Sequence, residues 1–204
     1  MKTSWILSVL IVACGLSGGS VALAKTKTEK APKTEVATFA AGCFWGTEEF
    51  FRKIPGVMRT EVGYTGGTVD HPKYDEMHDG HTNHAESVEI EFDPSKVSYE
   101  TLLDQFFKMH DPTTLNRQGN DAGNQYRSAI FFHGEKQKNE AMAFKAKVEK
   151  SGAWKKTITT EISEARKFWR AEEYHQKYLE KTPGGYDNHF LRKISFDDPK
   201  TAAH

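Results

Sequence analysis

The residue with the most chemistry to offer is Cys43, in the run Gly42-Cys43-Phe44-Trp45-Gly46. Val36–Ala41 before it is short and apolar enough for a buried strand. Thr47–Ile54 after it has helical spacing and stops at Pro55-Gly56. Cys43 is therefore expected at a strand-to-helix turn, close to a helix N-terminus. The unpaired N–H groups there favour negative charge, so the thiol is expected to ionise more readily than a free one. Phe44 and Trp45 follow it directly, and two bulky aromatics at a turn suggest the lining of a pocket. The plainer alternative is a small buried hydrophobe at a strand end.

A nucleophilic thiol needs an acid or base partner. Glu86 opens the alternating run Ala85–Phe92, and by phase it shares the core face of Val88, Ile90 and Phe92. A carboxyl on an apolar face has its pKa raised, which suits a proton donor. Tyr74, Asp121 and Tyr126 fall in long polar loops. Phenol hydroxyls there can hydrogen-bond a polarised oxygen. Two other chemistries compete. His71, His78, His81 and His84 cluster in one loop, but their spacing fits no regular zinc ligand set, so no metal is expected. A Cys/His hydrolase would need a histidine paired with Cys43, and no segment identifies one.

The elements that must position these residues follow from periodicity. Val57–Tyr64 reads as a strand ending in a Gly-rich turn, and Asp70–Asn83 as an irregular polar loop. Ser98–His110 is an amphipathic helix with Ser98 as its cap, and Asp111–Tyr126 is a long loop. Ser128–His133 reads as a strand, Glu135–Lys150 as a helix, Ile158–Ile162 as a short strand and Ala171–Lys181 as a helix. The tail after Phe190 is polar and expected to be mobile. This order gives an α+β domain. Its helices pack on a mostly antiparallel mixed sheet, with a split β-α-β, ferredoxin-like core and long active-site loops.

The 204 residues fit one domain with some to spare, and Lys+Arg and Asp+Glu both number 28. With no basic excess, nucleic acid is not an expected partner. Met1–Ala24 reads as an export signal, with Lys2 before an apolar run too short to span a bilayer and a small-x-small site at Ala22-Leu23-Ala24. A competing reading makes Ile11–Cys14 a lipobox, with the protein anchored through a lipidated Cys14. Either way the location is outside the cytoplasm, in the periplasm if the source is bacterial. Residues 25–35 read as a flexible linker, 36–190 as the catalytic domain and 191–204 as a polar tail. The mature chain then keeps one thiol, Cys43, and a single unpaired cysteine in an exported protein suggests chemistry.

Gly42-Cys43-Phe44-Trp45-Gly46 resembles the signature of the A-type peptide-methionine sulfoxide reductases. Gly63–Gly67, His71–Tyr74, His84–Glu86, Phe92–Pro94, His110–Thr114, Arg117–Asp121, Gln125–Ser128 and Ala171–Gln176 resemble that family in the same order. The likeness runs from Val36 to His189. It implies thiol-dependent reduction of methionine S-sulfoxide, free or in oxidised proteins. By that resemblance Cys43 attacks the sulfoxide sulfur and Glu86 protonates the oxygen. Tyr74 and Tyr126 hydrogen-bond that oxygen, Asp121 helps hold the site, and Phe44 and Trp45 cage the S-methyl group. Many relatives carry a resolving cysteine after a Gly-Tyr pair, whereas Gly185-Tyr186 is followed here by Asp187. A one-cysteine cycle through a sulfenic acid is therefore expected. It needs no bound cofactor, and its reductant is a thioredoxin-like protein or a small thiol. Relatives often have a cysteine where His78 stands, and His78 is assigned no role. A monomer is expected. An inactive sulfoxide-binding relative is a further alternative, although Cys43 and Glu86 are both present.

Overall fold

In the computed structural model, residues 33–77 and 79–197 are described. The stretch read as an export signal, Cys14, most of the stretch read as a linker, His78 and residues 198–204 lie outside them. Strand β1 (Glu35–Ala41) leads into helix α1 (Phe44–Phe51) and strand β2 (Val57–Thr65). Strand β3 (Ala85–Phe92) inserts between β1 and β2 and pairs antiparallel with both. This is the split β-α-β unit. Helix α3 (Tyr99–Met109) then crosses to β6 (Ser128–Phe132), on the other side of β1. With β7 (Glu161–Glu164) and β8 (Trp169–Arg170) the six-stranded order is β7-β6-β1-β3-β2-β8, and only the β6–β7 pair is parallel. The expected α+β, mostly antiparallel class with a ferredoxin-like centre is the observed one.

The core forms because α1 and α3 turn their apolar sides onto one sheet face. Phe39 of β1 stacks on Phe51 of α1 at 5.3 Å and on Phe106 of α3 at 5.2 Å. Leu102, Leu103, Phe106 and Phe107, the apolar stripe read from sequence, are all fully buried. Ser98 caps α3 as expected, its hydroxyl accepting from Thr101 N at 3.0 Å.

Other expectations shift. Helix α1 starts three residues before Thr47 and ends at Phe51, because the turn at Cys43 is tight enough to open the helix at once. The polar loop before β3 contains a short helix, α2 (Tyr74–Met77). The loop Asp111–Tyr126 holds a small hairpin of β4 (Arg117–Gln118) and β5 (Asp121–Ala122), followed by a 3₁₀ turn at Asn124–Tyr126. Helix α4 (Glu135–Ser151) ends on left-handed Gly152. The strand expected at Ile158–Ile162 pairs only from Glu161 to Glu164, since Thr159 gives its N–H and its hydroxyl to Pro112 O.

The helix expected over Ala171–Lys181 is reduced to α5 (Tyr178–Lys181). Its first half is held instead by side chains that serve other elements. Gln176 pairs with both backbone groups of Val62 on the edge of β2, and the N–H of Lys177 donates to Glu48 at 2.6 Å. The expected mobile tail is also corrected for residues 191–197. Phe196 is buried against Phe107 and Phe144, and Arg192 N donates to Lys108 O at 3.1 Å.

Candidate active site

Cys43 is the N-cap of α1, and Gly42 before it takes φ +95°, a conformation costly for any side chain. No side chain caps this helix. Its first free amides go elsewhere. Phe44 N donates to Glu86 Oε2 at 3.1 Å, and the backbone N–H groups of Trp45 and Gly46 favour the ionised form of the Cys43 thiol. The helix start and the Glu86 carboxyl are thus hydrogen-bonded directly beside Cys43.

The electrostatics differ from the sequence expectation at the thiol. Cys43 is 7% exposed. Burial raises its pKa strongly, the nearby Glu86 and Asp121 charges raise it further, and the two amides offset only part of this. The free enzyme therefore holds a neutral thiol, because loss of hydration outweighs the helix terminus. Glu86 follows its expectation. It is 2% exposed, and burial, with a contribution from Asp121, pushes its carboxyl up to about 8 against the pull of the Phe44 amide. It is protonated at neutral pH and able to donate.

The remaining expected residues gather around this pair. Burial first, then the charges of Glu86 and Cys43, push the Tyr74 phenol up to about 12. Tyr126 is pushed up by burial and by Glu86, Tyr74, Asp121 and Cys43. Both phenols remain proton-bearing donors. Asp121 accepts from Tyr186 Oη and from Asn188 Nδ2, each at 2.9 Å. Phe44 is buried in the core rather than exposed at the turn, its ring 5.1 Å from that of His175. Trp45 is partly buried, stacked on Tyr178 at 3.9 Å and bonded through Nε1 to His175 Nδ1 at 2.9 Å.

Several supporting residues carried no local signal. His175 touches Phe44, Trp45 and Tyr74. Since its Nδ1 accepts from Trp45, it is the neutral Nε2–H tautomer, and burial lowers its pKa. Glu172 accepts from Tyr74 N at 3.1 Å and from Tyr64 Oη at 2.9 Å, and so anchors the Tyr74 backbone. Both lie in Ala171–Gln176, a stretch whose family likeness was the only pointer to them.

Among the described residues no group of His, Cys, Asp or Glu is arranged to hold a metal. His84 of the proposed histidine cluster is spent on Gly67 N and Val69 O. Among the described residues no histidine ring nitrogen is hydrogen-bonded to the Cys43 sulfur, and His84, His110, His133, His175 and His189 each engage a ring nitrogen with another group.

Residues 35–200 match the family model described as peptide methionine sulfoxide reductase. The peptide methionine sulfoxide reductase of Methanoculleus marisnigri is 56% identical over 151 residues, 74% of this chain and 92% of the relative. Among solved structures, reduced Mxr1 of Saccharomyces cerevisiae aligns with a TM-score of 0.75 at 37% identity, covering 83% of this chain and 98% of that one. Mxr1 in complex with Trx2 aligns at 0.55 and 29% identity, covering 83% and 97%.

Proposed function

The chain belongs to the peptide methionine sulfoxide reductase family, and on that premise we propose that it reduces methionine S-sulfoxide, free or in oxidised proteins, through a one-cysteine cycle. The family is one of oxidoreductases. The observation that carries the reading is the buried, proton-bearing Glu86, bonded to the amide next to the nucleophile. A sulfoxide oxygen leaves sulfur only once it is protonated, so a carboxyl still protonated at pH 7 beside a thiol meets the need of the reaction.

In this mechanism the sulfoxide replaces water over Cys43, its S-methyl group among Phe44 and Trp45. Its oxygen accepts from Tyr74 and Tyr126. The Cys43 sulfur attacks the sulfoxide sulfur as Glu86 protonates the oxygen. The oxygen then passes to Cys43, which becomes a sulfenic acid, and methionine leaves. The thiol proton restores Glu86. Substrate sulfur gains two electrons and Cys43 sulfur loses two. Two external thiols then return the sulfenic acid to the thiol, releasing water and a disulfide. No cysteine follows Cys43 among these 204 residues, which favours the external donor. The yeast relative is solved with Trx2, and a thioredoxin-like protein is the proposed donor, with a small thiol as the alternative. The leader reading adds export to the proposal.

The test is a single turnover. The protein is mixed with a methionine S-sulfoxide peptide and no reductant, and both are weighed. About one equivalent of methionine, with Cys43 trapped by dimedone, is expected for a sulfenic acid intermediate. No methionine, with the thiol still free, overturns the reading.

A further inference from the structure

The stretch Tyr186–Phe190 lies against the base of the Cys43 turn, and two of its side chains have no task in the chemistry above. His189 Nε2 is 2.7 Å from the Ala41 carbonyl and 3.3 Å from Thr47 Oγ1. The Thr47 hydroxyl donates in turn to the Cys43 carbonyl at 3.1 Å. The other ring nitrogen, Nδ1, is 3.1 Å from Asp187 Oδ1, and the His189 backbone N–H donates to that same oxygen at 2.9 Å. Both ring nitrogens thus face acceptors, and the side chain is only 1% exposed. Burial opposes ionisation of Asp187, but its bonds with His189 hold its carboxyl below the usual range.

One imidazole therefore ties the carbonyl two residues before the nucleophile to the hydroxyl four residues after it. Gly46 permits the approach, since a Cβ there would overlap Asp187 Oδ1 and His189 Nδ1. The N–H of Gly46 is also one of the two that favour ionisation of the Cys43 thiol. Lys53 acts on Asp187 and, with Glu49, lines the pocket that Asp187 and His189 share, while the neighbouring His110 ring is neutral.

We infer that Asp187 and His189 are positioning residues for the nucleophile: they clamp the Cys43 turn and so hold the Trp45 and Gly46 backbone in place beside the thiol. A buried thiol depends on those two donors to ionise, so releasing the clamp lowers its reactivity toward any electrophile. The inference does not rest on the sulfoxide reading. It concerns the thiol itself, and alkylation reads it without substrate.

The test uses the full chain. The second-order rate of Cys43 alkylation by iodoacetamide at fixed pH is measured for Asp187→Ala, His189→Ala and His189→Gln, beside the single-turnover rate of methionine formation. The two alanine variants are expected to alkylate about tenfold more slowly and to form methionine at least about tenfold more slowly, with KM for sulfoxide nearly unchanged. His189→Gln keeps an amide N–H able to reach Ala41 O and is expected to recover to within about threefold of wild type. If an alanine variant does not fold, Asp187→Asn, which keeps the shape and removes the charge, carries the same expectation. An alkylation rate at or above wild type in the folded variants overturns the inference, whatever happens to the melting temperature.

Discussion

Helices α1 and α3 pack side by side on Phe39, yet their N-termini are built in opposite ways. At α3 the orphan amides are served locally. Ser98 accepts from Thr101 N, so that end is closed and serves stability. At α1 no side chain caps the helix; one of its amides reaches a carboxyl from β3, and two others favour the ionised Cys43 thiol. The same backbone resource is spent on stability in one helix and on reactivity in the other. The difference lies in what stands at the N-cap, a short oxygen-bearing side chain or a thiol.

The comparison breaks most sharply at Glu86. Glu86→Gln keeps an acceptor for Phe44 N but cannot release a proton, so the single-turnover rate is expected to fall by about 10²-fold or more. Methionine formed at near wild-type rate would remove Glu86 as the proton donor. The next effect is one of pH. Since the Glu86 carboxyl is pushed up to about 8, the wild-type single-turnover rate should fall as pH rises through that value. Stability has the same sign. The folded state keeps a proton that the unfolded chain loses above its ordinary 4.5, so this contribution is complete below 4.5 and is lost as pH rises through about 8. Urea midpoints at pH 5 and pH 8.5 should therefore separate more in wild type than in Glu86→Gln. Buried His110, lowered to about 3, acts in the opposite direction, and comparing the two proteins cancels it. The smallest effect belongs to α3. Ser98→Ala should cost about 1 kcal/mol of stability by urea denaturation and leave turnover unchanged. A loss of turnover at full stability there would erase the contrast between the two helix starts.

The contrast also explains what could be read early. The turn at Cys43 with a helix after it, the core-facing phase of Glu86 and the capped, striped α3 are local patterns of residue type and period, and they were legible. Ala171–Lys181 was misread as a helix because Gln176 and Glu172 are committed to β2 and Tyr74, partners far away in the chain. Phe196 was misread as part of a loose tail because Phe107 and Phe144, which cover it, lie on two other helices.

From sequence alone came the order of the main strands with α1, α3 and α4, the Cys43 thiol at its turn and the Glu86 carboxyl on the buried face. Those depend on spacing along the chain, which sequence records directly. Tertiary structure decided the charge states and the supports. The Cys43 thiol is neutral because burial outweighs the two amides that favour its ionisation. Desolvation depends on everything that closes over a group, and Asp187 and His189 reach the Cys43 turn from the far end of the chain, at a distance no local pattern encodes.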